Sequence, residues 1–164
     1  MQLTYIADDA ALQQLLIDCQ DSDVVVVDTE FMRTDTFYPR AALLQLCFDC
    51  APDMAWLVDP VTIADFSPLA RMFHDPSIIK VVHSPSEDLE VFQLLIGQQP
   101  LPLFDTQRAA AFVGLGFGMG YQALVQAVTG VLVEKGETRS NWLARPLSEK
   151  QLHYAAADVV PLLP

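Results

Sequence analysis

The valines at positions 24–27 form an unbroken apolar run, bounded by Asp21-Ser22-Asp23 and ending on Asp28. A short run of β-branched residues with no polar break predicts a strand that packs on both faces. ALLQLCF (42–48) and MAWLV (54–58) predict two more strands. Their separators are short and hold Pro39 or Ala51-Pro52-Asp53, so the three strands read as a meander. Ahead of them, Asp8 or Asp9 can cap a helix over AALQQLLIDC with Leu12, Leu15 and Leu16 on one face. Further on, Ser67-Pro68 opens a short helix, IIKVV (78–82) is a fourth strand, and SEDLEVFQLLIG is a helix ended by Gly97. PLFDT supplies a fifth, short strand; QRAAAFVG, GYQALVQAVTG and SEKQLHYAAADVVPLL read as helices. A meander followed by alternating helices and strands predicts an α/β domain with a five-stranded mixed sheet and helices on both faces.

The length of 164 residues and the hydrophobic fraction of 52% fit one domain with a single large core. No apolar run approaches the roughly 20 residues of a membrane span, and MQLTYIADDAALQ lacks the basic and apolar regions of a signal peptide. A cytoplasmic protein, acting as a monomer without a membrane, is the expectation. The net charge of −12 opposes non-specific attraction to nucleic acid. Acids that hold divalent cations reverse that argument locally, because bound metal changes the sign of the field. Cys47-Phe-Asp-Cys50 has the C-x-x-C spacing, but Cys47 lies inside a predicted strand and too few further ligands exist for zinc. The cysteines read as small buried hydrophobes.

Charge becomes informative where the acids fall. Asp28 and Glu30 are two apart on a strand and so share a face. Acids are common where a strand meets solvent, so this pair alone does not choose between a metal site and a solvated rim. In HSPSEDLEVF, Ser86 is the expected N-cap. Asp88 heads the apolar stripe Val91, Phe92, Leu95 and so faces inward, whereas Glu90 lies on the solvated side. Tyr154 and Asp158 lie four apart on one helical face, with three alanines between them that allow close approach to a sheet. Oxygen-only donors of this kind suit hard cations, Mg²⁺ or Mn²⁺, rather than zinc. Paired ions about 3.5–4 Å apart are a recurrent device for cleaving phosphodiesters.

Asp28-Thr-Glu30, Asp88 and Tyr154-x-x-x-Asp158 resemble the three exonuclease motifs of the DEDD superfamily, tyrosine subgroup. The flanking words DTEFMRTDTFYPRAALLQL, HSPSEDLEVF, FDTQRAAAF and NWLARPLSEKQLHYAAADV resemble the ribonuclease D family from about residue 3 to 163. The resemblance implies an RNase H-like fold and 3′→5′ hydrolysis of RNA to 5′-monophosphates. Its implied substrates are RNAs with a free 3′ end, tRNA precursors among them, and its implied cofactors are two divalent ions and no nucleotide. By position it gives Asp28 to both ions, Glu30 and Asp158 to the ion carrying the attacking water, Asp88 to the second ion, and Tyr154 to that water.

Two departures from the family pattern stand out. Relatives continue into helical accessory domains, and this sequence, stopping at Pro164 without a polar tail, reads as a piece of a longer protein whose residues 1–164 are the exonuclease domain. Pro161 also falls inside the expected last helix, where it would kink the backbone. Lys135 and Arg139 are candidate contacts for the substrate backbone, and Phe31 is a candidate stacking partner for a terminal base. GLGFGMG (114–120) has the wrong spacing and context for a nucleotide loop and reads as a turn. The competing readings are an exonuclease acting on DNA and a non-catalytic binding module of the same fold.

Overall fold

The structure is a computed structural model that describes residues 1–163 except Lys135 and Thr138. Its sheet has six strands: β1 (Gln2–Ile6), β2 (Val24–Met32), β3 (Arg40–Phe48), β4 (Met54–Val58), β5 (Ile79–Val82) and β6 (Leu103–Asp105). They lie in the order β1-β4-β3-β2-β5-β6. β2, β3 and β4 form the antiparallel meander, and β1, β5 and β6 join it in parallel fashion at either side. The expected five strands are therefore one short. QLTYI is half-exposed on an edge and pairs with β4 about fifty residues away, so no turn signal announces it.

The helices are α1 (Asp9–Asp18), α2 (Ser67–His74), α3 (Asp88–Ile96), α4 (Thr106–Phe112), α5 (Tyr121–Thr129) and α6 (Glu149–Ala157). α1 is capped by the Asp8 carboxylate on the Ala11 amide at 2.8 Å. α3 ends on Gly97, whose φ of 80° takes the left-handed turn that closes the helix. Its start differs from expectation: Glu87, not Ser86, is the N-cap, and no side chain caps it. The Leu89 amide bonds the Pro85 carbonyl at 2.9 Å, so the tight turn before α3 fills the role instead. α6 is shorter than the sequence predicts. It ends at Ala157, and Pro161 belongs to a separate 3₁₀ turn over Val160–Leu162. Pro161 thus follows the helix and does not kink it.

Alternation along β2 divides the core. Val25 and Val27 pack with Leu12, Phe73 and Phe92 on the face covered by α1, α2 and α3. Val26 packs with Trp142, Leu147, Ala155 and Ala156 on the face covered by α6. A strand filled on both sides has little freedom, so its continuation is held at a fixed height. Cys19 and Cys47 are buried as expected, but Cys50 is exposed in the turn after β3. GLGFGMG is a turn between α4 and α5 that leaves Phe117 in solvent. No helix among the described residues is long and apolar enough to cross a membrane.

One ionic cluster ties α6 to the sheet. Asp59, at the end of β4, is 1% exposed and accepts from Arg145 at 2.6 and 2.7 Å and from the Tyr5 hydroxyl at 2.5 Å. Arg145 also donates to the carbonyls of Ala42 and Trp142, each at 2.7 Å. Burial alone would raise the Asp59 carboxyl, yet these donors hold it below the ordinary range. Asp59→Ala should leave the guanidinium without its counter-ion in a largely dehydrated place. Urea unfolding should then show a loss of about 3–5 kcal/mol.

Candidate active site

β2 pairs with β5 only from Val24 to Val26, and β5 ends at Val82. Beyond that point the sheet opens on the β5 side, and the opening lies at the carboxyl ends of two parallel strands. Such a place is where α/β sheets accommodate ligands. A cavity of about 790 Å³ occupies it, lined by Asp28, Glu30, Asp88, Tyr154 and Asp158. All five catalytic candidates named from the sequence therefore meet in one place.

Three elements deliver them. Asp28 and Glu30 continue the face of Val26, toward α6, as the strand period requires. A bulge lies beside them: Glu30 pairs with Leu43 and Phe31 with Ala41, so Ala42 is unpaired in the register. Bulges of this kind re-aim neighbouring side chains. Tyr154 and Asp158 come from the last turn of α6 and its C-cap. Asp88 comes from the opposite face, at the first position of α3. It is held there by Thr29, whose hydroxyl donates to the Asp88 carboxylate. Thr29 thus points away from Asp28 and Glu30 and steadies the fourth acid, a role that the D-x-E pattern does not reveal.

The electrostatics are unfavourable for four anions. Burial, followed by Asp88, Asp158 and Glu30, raises Asp28 well above the carboxylate range. Burial, then Asp158 and Asp88, pushes Glu30 to about 9. Asp158 is raised by burial to about 7 even though the Tyr154 hydroxyl donates to it. Asp88 is raised by burial against the opposing bond from Thr29. The ion pairs among the described residues serve other acids: Arg33 with Glu87 and Glu90, Arg108 with Asp105, and Arg145 with Asp59. Clustered carboxylates without a basic partner are a fitting environment for a divalent cation, and their all-oxygen donor set suits Mg²⁺ or Mn²⁺. Among the described residues, no three His, Cys, Asp or Glu side chains are already gathered tightly enough to hold an ion. The acids ring the cavity rather than close on one point.

Tyr154 is packed on two sides. Its ring lies 6.1 Å from that of Trp142. A Cβ at Gly136 would come within 3.2 Å of its ring, so a side chain there would press on the tyrosine. Phe31 lines the cavity, as a stacking partner must. Arg139 is exposed and lies outside the cavity lining, and Lys135 lies outside the described residues. Tyr121, Ser84 and His83 also line the cavity and were not among the site residues named from sequence. Ser84 has φ 54°, a left-handed conformation uncommon for serine, and its amide donates to Asp105 at 3.1 Å. Nδ1 of His83 is 2.9 Å from the Thr106 hydroxyl, and its ring meets Tyr121 edge to face. The Tyr121 hydroxyl donates to the Ala157 carbonyl at 2.5 Å.

Residues 3–164 match the sequence profile of a 3′-5′ exonuclease family. Ribonuclease D of Pseudomonas paraeruginosa is 48% identical over 158 residues, which is 96% of this chain and 41% of that protein. The chain therefore spans about two fifths of the length of the curated relatives it matches. The crystal structure of Escherichia coli RNase D, described as an exoribonuclease involved in structured RNA processing, superimposes with a TM-score of 0.94 at 45% identity. That match covers 100% of this chain and 43% of the other. Brucella melitensis NrnC with bound Mg²⁺ has the same fold, with a TM-score of 0.80 at 24% identity over 98% of this chain and 76% of that one.

The raised carboxyls have a measurable consequence for stability. Glu30 has an ordinary pKa of 4.5 and sits near 9 in the fold, so the folded state holds its proton more tightly than the unfolded state does. The stability tied to that proton is complete below about pH 4.5 and is lost as pH rises toward 9. In EDTA, the melting temperature of the wild type should fall between pH 5 and pH 9 more steeply than that of Glu30→Gln. Millimolar Mg²⁺ should restore the wild type at the alkaline end by mass action.

Proposed function

The chain belongs to the 3′-5′ exonuclease family, and from that premise we propose that it is the catalytic domain of a ribonuclease D-like exoribonuclease. It removes nucleotides one at a time from the 3′ end of RNA, with tRNA precursors and other small structured RNAs as its natural substrates. The observation that carries this reading is the convergence of Asp28, Glu30, Asp88 and Asp158, from three separate elements, on one cavity at the carboxyl ends of β2 and β5. A binding module without catalysis has no use for four mutually repelling acids, each of which lowers stability near neutral pH.

Two Mg²⁺ or Mn²⁺ ions, when bound, acidify a water and neutralise charge on the leaving oxygen. The chain's own residues set the geometry for that chemistry. Asp28 occupies the centre of the acid group, within electrostatic reach of the other three, and would be the shared ligand. Glu30 and Asp158 would hold one ion, and Asp88, steadied by Thr29, would serve the other. The Tyr154 hydroxyl donates to Asp158 and lies on the cavity wall, so its proton is engaged. With that proton already given to the hydrogen bond with Asp158, the hydroxyl would orient the attacking water rather than deprotonate it. Phe31 lies beside the acids, where it stacks on the terminal base.

The net charge of −12 leaves little long-range attraction for RNA, so affinity rests on cations at the site and on regions beyond this domain in the longer relatives. A 3′-labelled RNA incubated with the domain and Mn²⁺ should release labelled mononucleotides, with a DNA of the same sequence cut more slowly. Asp28→Ala should reduce the rate to background while melting cooperatively. RNA cleavage at an unchanged rate by Asp28→Ala would refute the mechanism.

A further inference from the structure

α6 ends with a carbonyl that the backbone cannot satisfy. In a continuing helix the oxygen of Ala157 would accept from the amide of residue 161, but that residue is proline and has no N–H. The neighbouring bonds are long: Asp158 N–H to Ala155 at 3.3 Å and Val159 N–H to Ala156 at 3.4 Å. Among the described residues, no backbone amide donates to Ala157. The joint that carries Asp158 is therefore the weakly bonded end of its own helix.

The missing donor comes from α5. The Tyr121 hydroxyl reaches the Ala157 oxygen at 2.5 Å, across 36 positions of sequence. Its ring is braced by His83, with centroids 5.7 Å apart and planes at 76°, and His83 is anchored on Thr106. We propose that Tyr121 is a positioning residue for Asp158: its hydroxyl replaces the amide that Pro161 cannot supply and fixes the metal-binding carboxylate relative to Asp28 and Glu30. The proposal rests on the reading of Asp158 as a metal ligand. Phenylalanine would fill the same volume but leave the carbonyl without a donor, so the effect belongs to one oxygen atom. Tyr121 and Pro161 form a coupled pair: the need for the hydroxyl exists because of the proline.

A double-mutant cycle tests the coupling. Mn²⁺ affinity is measured by isothermal titration calorimetry on wild type, Tyr121→Phe, Pro161→Ala and the double variant, with circular dichroism to confirm folding. Tyr121→Phe should bind Mn²⁺ about tenfold more weakly, in the range seen when a ligand loses its supporting partner. Pro161→Ala restores an amide at position 161, so adding Tyr121→Phe to it should cost no more than about twofold. On RNA, Tyr121→Phe should lower kcat with KM unchanged, and Pro161→Ala should rescue it. Wild-type Mn²⁺ affinity in Tyr121→Phe, or an equal loss in both backgrounds, would overturn the proposal. A wild type that binds Mn²⁺ but cuts no RNA would defeat the exonuclease reading, while the four affinities still decide the role of Tyr121. A wild type that binds no Mn²⁺ would overturn both.

Discussion

Asp28 leaves a strand whose valines are packed on both faces, and it meets three other carboxylates at a cavity where none of the four has a partner among the described ion pairs. The repulsion there would separate the elements if they were free to move. They are not, because each is fastened at a distance from the charge. β2 is held by two hydrophobic cores, α3 by Phe92 and Val91, and the approach to α6 by the Arg145–Asp59–Tyr5 cluster. Apolar burial at about 25 cal/mol per Å² supplies the force, and the acids receive the strain. The acids are thereby held around the cavity, although no three of them among the described residues close on one point.

The local features were the legible ones. Val24–Val27, the meander, Gly97 as the end of α3 and the inward direction of Asp88 all follow from period and capping rules acting within a few residues. The grouping of Asp28, Glu30, Asp88, Tyr154 and Asp158 was legible by another route, the resemblance of the three motifs to an exonuclease family, since no local rule brings distant elements together. What escaped were features defined by a distant partner. β1 alternates as a strand does, but five residues ahead of a helix do not show that their partner is β4, about fifty positions on. Thr29 matters through Asp88, and Tyr121 through a backbone oxygen on α6. Backbone acceptors leave no trace in a side-chain pattern. The N-cap at Glu87 escaped for a related reason: the turn at Ser84 and Pro85 displaces the helix start past the serine that local preference selects.

Net charge and function also need reconciling. A domain carrying −12 is an unpromising partner for RNA when its charge is averaged over the surface. The average misleads, since several of those acids line the cavity, where divalent ions would reverse their sign. Arg33 keeps Glu87 and Glu90 engaged beside α3, which removes two further negative charges from the neighbourhood of Asp88. Local pairing therefore separates the acids available to a metal from those that are not.

The end of α6 concentrates these themes. A carboxylate at a C-cap has freedom that one in mid-helix lacks, because the bonds beyond it are few and long. Proline at 161 increases that freedom by removing a donor, and the 3₁₀ turn it opens cannot replace it. The fold recovers the loss from another helix, through a phenol that lies on the cavity wall and reaches back to the main chain. Asp158 is consequently tied to β5 and α4 as well as to α6, by way of Tyr121, His83 and Thr106. Since Thr106 also donates to the Val82 carbonyl at 3.1 Å, the path ends on the strand beside β2. The acids on β2 and the acid after α6 are therefore referred to the same sheet, which is what a site needing fixed separations between its ligands requires.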